Sequence, residues 1–168
     1  MLERLAFRSD EAARAAQYAE LRLRLSGLLD GEDDAVAAMA TVVCELHHAF
    51  AALHWTGVYR VARPELLIIG PYQGGHGCLR IPFDRGVCGA AARTRQSQRV
   101  PDVHARADHI ACSSTTRSEL VVPILRPDGE VIGVIDLDSD HLDAFDALDQ
   151  REVEQIAADL GRRFGSLG

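Results

Sequence analysis

Residues Leu120–Ser139 read LVVPILRPDGEVIGVIDLDS, two apolar runs joined across Arg126-Pro127-Asp128-Gly129-Glu130. Proline and aspartate favour a turn and glycine tolerates the positive φ that closes one. The stretch therefore predicts a β-hairpin with strands Leu120–Leu125 and Val131–Leu137. Asp136 and Asp138 stand where a buried strand would carry valine or isoleucine. Two residues apart, they leave the strand on one face, while Ile135 and Leu137 take the other. A solvent-facing strand would explain them plainly. Against that, Ile132 and Val134, assigned by alternation to the same face, are apolar, so the acids are expected at a pocket mouth. Glu119 begins the partner strand, and its face depends on the turn. A two-residue Asp128-Gly129 loop sets it opposite Asp138. A type I turn at Pro127-Asp128 with Gly129 as bulge sets it opposite Leu137, and Pro123 breaks the ladder and can re-aim it either way.

Outward from the hairpin, the pattern alternates between helical and strand periods. Ser9 is the expected N-cap of a first helix in which apolar residues recur at helical spacing through Leu21, Leu23, Leu25, Leu28 and Leu29. Gly31 and the acids 32–34 break it, and a second helix is expected over about Asp34–Leu53, with Cys44 in its core. Trp55–Val61 and Leu66–Gly70 read as a hairpin turned at Arg63-Pro64-Glu65, followed by a glycine-rich loop 73–77 and a strand Cys78–Phe83. Gly86–Arg93 is a short helix, Gln98–Val103 a marginal strand, and His104–Ser118 a long loop. Ala147–Phe164 is a closing amphipathic helix capped by Asp146. These elements predict an α+β domain spanning 1–168, with N-terminal helices over about 9–53, sheet and loops over 54–139 and a C-terminal helix over about 146–164. A central antiparallel sheet of about six strands carries the N- and C-terminal helices on one face.

Composition narrows the function. The chain has 168 residues, 47% hydrophobic and 26% charged, and a net charge of −7 from 18 basic and 25 acidic side chains. That balance argues against nucleic acid and anionic membranes as partners. No apolar stretch approaches the ~20 residues that span a bilayer, and the charged N-terminus lacks a secretion-signal pattern, so the chain reads as cytoplasmic. In a reducing compartment, four cysteines are core thiols, metal ligands or reactive groups. Cys78, Cys88 and Cys112 lie in glycine- and serine-rich segments. Cys88 falls near a helix N-terminus, where backbone N–H groups favour a thiolate. Zinc held by these thiols with His104 or His109 is a weak reading, because no C-x-x-C pair occurs. Gly74-Gly75-His76-Gly77 lacks the G-K-[ST] of a phosphate loop. His47 and His48 fall on a helix as surface or half-buried residues. Trp55 and Tyr59 share a strand face, as core or as one wall of a small-molecule pocket. Loop thiols beside crowded acids suggest redox chemistry with a nucleophile and a proton donor, since at least one crowded carboxyl has its pKa raised.

Eight motifs in one order carry a more specific likeness: WTGVY (55–59), GPYQG (70–74), C-x-RIP (78–82), RGVCG-x-A (85–91), DVH (102–104), HIAC (109–112), SELVVPI (118–124) and GVIDLDS (133–139). Over roughly Leu53–Ser139 the chain resembles the free methionine-(R)-sulfoxide reductases, small enzymes of GAF fold. The resemblance implies that Cys112 is the nucleophile, Cys78 the thiol that resolves its sulfenic acid to a disulfide, and Cys88 an accessory third thiol. It implies that Glu119, Asp136 and Asp138 protonate the sulfoxide oxygen and bind the substrate amine, with Trp55 and Tyr59 bordering its methyl and sulfur. It further implies no metal or organic cofactor, a thioredoxin-like reductant as partner, and leaves room for a homodimer. Three positions depart from the family pattern: Ser113 after the nucleophile, Gly75 in the loop, and the segment 105–108. The alternative expectation is a non-catalytic GAF module sensing a small amino-acid-like ligand.

Overall fold

The hairpin that opened the sequence forms as β5 (Ser118–Leu125) and β6 (Val131–Ser139) at the centre of the molecule. A computed structural model describes residues 2–106 and 114–167. At the hairpin tip Arg126 and Glu130 close a three-residue loop: the Arg126 N–H donates to the Glu130 carbonyl at 2.9 Å, and Gly129, at φ +85°, donates to the Arg126 carbonyl. Continued regularly, this turn would set Glu119 opposite Leu137. A bulge prevents it. Leu125 pairs with Val131 but Ile124 pairs with Gly133, so Ile132 is an extra residue and every later pair moves on by one. Glu119 therefore faces Asp138, and Val121 faces Asp136. The bulge also corrects one expectation, since Ile132 packs with Ile135 and Leu137 on the opposite face from Val134.

Four further strands complete the sheet: β1 (Trp55–Arg63), β2 (Leu66–Gln73), β3 (Arg80–Pro82) and β4 (Gln98–Val100). Their order is β3-β2-β1-β6-β5-β4, and every pairing is antiparallel. β2 runs to Gln73, three residues past the expected end, because it stays paired with β1 through Thr56 and Gly57. β3 begins at Arg80, which leaves Cys78 in the loop before it.

The N- and C-terminal helices α1 (Glu11–Leu28), α2 (Ala35–Ala49) and α4 (Ala147–Arg163) cover one face, as the periodicity implied. Leu21 and Leu25 of α1, Leu46 of α2 and Leu160 of α4 meet Val58, Leu120, Val122, Ile135 and Leu137 from the sheet. Each such fully buried leucine contributes about 2 kcal/mol through apolar area removed from water. Asp10, not Ser9, caps α1: its carboxylate accepts from the Ala13 N–H at 2.8 Å, while the Ser9 hydroxyl donates to the Ala6 carbonyl. Asp34 caps α2 in the same way, and that helix stops at Ala49, where Phe50 turns into a parallel bridge with Leu5. Cys44 is half-buried rather than a core thiol. Asp146 caps α4 in a capping box with Asp149, and both carboxylates accept from Arg14, tying α4 to α1.

A fourth helix, α3 (Gly86–Thr94), packs on the opposite face against β5 and β6. Gly86 starts it at φ +75°, and a Cβ at Gly89 would lie 2.5 Å from the Pro82 carbonyl oxygen, so the helix sits hard against the end of β3. Among the described residues no helix is long and apolar enough to cross a membrane.

At Gly161 of α4, a Cβ would lie 1.9 Å from the Leu125 carbonyl oxygen. Gly→Ala normally favours a helix interior, but here the backbone contact dominates. Gly161→Ala is expected to destabilise the protein by about 1–3 kcal/mol, read as a lower midpoint in urea denaturation.

Candidate active site

The face of the sheet under α3 collects the polar residues that sequence singled out. Trp55, Gly57 and Tyr59 of β1 lie opposite Asp138, Asp136 and Val134 of β6, and Glu119 comes alongside from β5. The plain reading of Asp136 and Asp138, a solvent-facing strand, is overturned for Asp136. It is 5% exposed and Glu119 6%, while Asp138 keeps partial exposure at the strand end.

Three carboxyl groups so placed cannot all ionise freely. Burial pushes Glu119 well above the usual carboxylate range, with the neighbouring charges of Asp136 and Asp138 adding to the rise and Arg106 opposing it. Burial likewise raises Asp138, helped by Asp136. Asp136 is pushed up to about 7, burial being offset by hydrogen bonds from Cys88 and Glu119. It is the one most readily ionised near neutrality. Its Oδ2 accepts from the Cys88 thiol at 3.4 Å, while its Oδ1 is buried with no hydrogen-bond partner among the described residues.

Cys88 departs from expectation. It is the third residue of α3, but its side chain turns inward and is 3% exposed. Burial pushes its thiol well above the ordinary range, and the Asp136 and Glu119 charges push it further, so the helix N-terminus does not yield a thiolate. Cys78 is half-buried in the loop before β3 and is disulfide-bonded. Cys112, with His109 and Ser113, lies outside the described residues. His104, on a short 3-10 turn (Val103–Ala105), is exposed. The only described group with metal-ligand spacing is Cys88, Glu119 and Asp136, whose ligand atoms lie within 4.8 Å of one another.

Aromatic rings form the wall beside the acids. Trp55 stacks on Tyr59 at 5.9 Å between centroids and on Tyr72 at 5.6 Å. Trp55 and Tyr59 take the core placement, both buried, on the sheet face that carries the acids. The Trp55 indole N–H donates to the Gly75 carbonyl at 3.0 Å, which lays the glycine-rich loop across the ring. A Cβ at Gly77 would come within 3.0 Å of both Trp55 and the Tyr59 hydroxyl, and one at Gly57 would lie 2.3 Å from the Trp55 ring. Tyr72 escaped the sequence reading. Its signal was an aromatic in GPYQG opposite Gly57, which carries no side chain of its own to compete. The Cys88–Asp136 contact had no sequence signal, because it joins residues 48 apart.

The GAF domain family model matches residues 30–163. A Saccharomyces cerevisiae protein named free methionine-R-sulfoxide reductase is 40% identical over 144 residues, covering 82% of this chain and 80% of its own. The Escherichia coli protein of the same name is 36% identical over 143 residues, covering 85% and 86%. The solved structure of free methionine-R-sulfoxide reductase from Neisseria meningitidis, in complex with its substrate, superposes with a TM-score of 0.85 at 41% identity, covering 97% of this chain and 96% of that one.

The buried acids carry a stability cost that depends on pH. Unfolded carboxyl groups release protons near pH 4, whereas folded Asp136 holds its proton to about 7. The folded state binds more protons across that interval, so this contribution to stability is full below about pH 4 and is lost as pH rises to about 7. Asp136→Asn should remove part of that loss. The melting temperature of the variant, relative to wild type, is expected to rise steadily between pH about 4 and about 7, as measured by thermal denaturation.

Proposed function

The chain belongs to the free methionine-R-sulfoxide reductases of the GAF domain family, and on that premise we propose that it reduces free L-methionine-(R)-sulfoxide to methionine through its own thiols. The observation that carries the reading is the acid cluster. Glu119, Asp136 and Asp138 share one sheet face beside the Trp55–Tyr59–Tyr72 stack, with one buried carboxylate oxygen open.

A sulfoxide oxygen leaves poorly unless it is protonated, so a thiolate and a neutral acid must act together. Cys112 is the nucleophile in this reading. Its sulfur attacks the sulfoxide sulfur while a protonated acid, Glu119 or Asp138, gives its proton to the oxygen. The oxygen passes to Cys112 as a sulfenic acid and methionine leaves with two more electrons than the sulfoxide had. Cys78 then attacks the sulfenic sulfur, releasing water and forming a Cys78–Cys112 disulfide before further oxidation can occur. The disulfide-bonded state of Cys78 supports that pairing. A thioredoxin-like dithiol returns both thiols to the reduced form, with no metal or organic cofactor. Cys88 is the accessory thiol of the set.

Substrate selection follows from charge. The α-amine of a free amino acid is cationic, and Asp136, the acid most readily ionised, offers it an anionic partner out of water. A peptide amide has no such charge. The rings of Trp55 and Tyr59 border the methyl and sulfur, for which an apolar wall suffices.

A thioredoxin-coupled assay comparing the two epimers tests the reading. The R epimer of free methionine sulfoxide should be turned over and the S epimer left intact, and N-acetylation of the substrate should abolish turnover. Cys112→Ser should lower kcat by at least about 10³-fold while leaving calorimetric substrate binding in place. Binding without turnover of either epimer in the wild type would instead make the protein a ligand sensor.

A further inference from the structure

We propose that Cys88 serves as a positioning residue, a hydrogen-bond donor that holds Asp136 with Oδ1 alone open to the substrate amine, and not as an exchanging thiol. The inference rests on the reading of the site given above and deepens it. Asp136 has two carboxylate oxygens buried on the sheet face, and the structure divides them. Oδ2 takes the Cys88 S–H at 3.4 Å, and Oδ1 has no partner among the described residues. A buried carboxylate oxygen without a donor is costly, and a cationic amine arriving at Oδ1 removes that cost only if the carboxylate is held in this rotation.

Cys88 is built to hold it. Its carrier helix begins at a glycine with φ +75° and meets the Pro82 carbonyl through Gly89 at a distance where no side chain fits. α3 thus has little freedom to slide, and Cys88 stays beside β6. Thiol–disulfide exchange needs a thiolate with access to a partner sulfur. Cys88 has neither property, being 3% exposed with its proton held firmly by burial. It is a free thiol while Cys78 is disulfide-bonded. What the position retains is a donor.

The groups that face Asp136 fix the sign of the effect. They are Cys88 from α3, Glu119 from β5, Asp138 along β6 and the Tyr59 hydroxyl from β1, with Arg106 acting on Glu119. Of these, the Cys88 and Glu119 hydrogen bonds favour the Asp136 carboxylate against its burial. Loss of the thiol proton therefore leaves Asp136 less ionised at neutral pH and less able to bind an ammonium group.

Cys88→Ala and Cys88→Ser separate the roles, since serine donates a hydrogen bond but cannot exchange. Cys88→Ala is expected to raise KM for free methionine sulfoxide by about tenfold, with a smaller fall in kcat, and to move the acid limb of kcat/KM to higher pH. Cys88→Ser should recover at least half of both changes on a logarithmic scale. Calorimetric binding of the sulfoxide, which requires no turnover, should follow the same order, so a failure of the reductase reading leaves the positioning claim testable. An equal loss of kcat in both variants with KM and binding unchanged would make Cys88 an exchanging thiol and overturn the proposal. To guard against poor folding of the alanine variant, Cys88→Ser is also combined with Asp136→Asn. Its effect on binding should vanish in that background, and additive losses would overturn the proposal as well.

Discussion

Holding three carboxyl groups side by side on one sheet face, Glu119 and Asp136 buried and Asp138 partly so, is the constraint on which this molecule depends. Isolated, each buried acid would be expensive, and together they repel one another if ionised. Burial raises all three carboxyl groups, Glu119 and Asp138 well above the ordinary range and Asp136 to about 7, so the crowding favours proton retention over full ionisation. A neutral acid can give a proton and an ionised one can hold a cation, so in the proposed reading the crowding that costs stability also supplies both chemistries.

The opposite face pays no part of that cost. β5 and β6 alternate strictly beyond the bulge, so Leu120, Val122, Ile135 and Leu137 enter a wholly apolar core under α1, α2 and α4. A smaller apolar cluster under α3, including Leu67, Val87, Val121 and Val134, surrounds the acids on their own face. Around the acids, glycine takes over where side chains would collide. Gly57 makes room for the Trp55 ring, and Gly77 lets the loop lie over Trp55 and Tyr59. The aromatic wall and the absence of side chains next to it are therefore one structural device.

Much of this was legible in the chain. Period-two alternation from Trp55 and from Leu120, the turn residues 126–130 and the cap at Asp146 located the strands and the closing helix. The shared face of Asp136 and Asp138 followed from spacing alone. What stayed hidden has a common physical origin. The face of Glu119 hung on a bulge at Ile132, which no residue type announces. The environment of Cys88 hung on which way a short helix turned its side chain. Burial there outweighed the helix N-terminus and reversed the expected shift of the thiol. Ser9 and Asp10 are both good caps, and only the path of the preceding chain, where Ser9 bonds Ala6, selected between them. Local propensity specified elements, and contacts distant in sequence specified their chemistry.

The extra residue at position 132 gives the hairpin an unequal tolerance to changes in length. Insertions or deletions at the loop tip lie outboard of it, where the exposed turn can absorb them without disturbing the ladder beyond. A single residue gained or lost between Gly133 and Asp136 would exchange inner and outer faces, sending the acids into the helical core and leucine under α3. Homologous chains should therefore vary in length at 126–130 and keep a constant count from 133 onward.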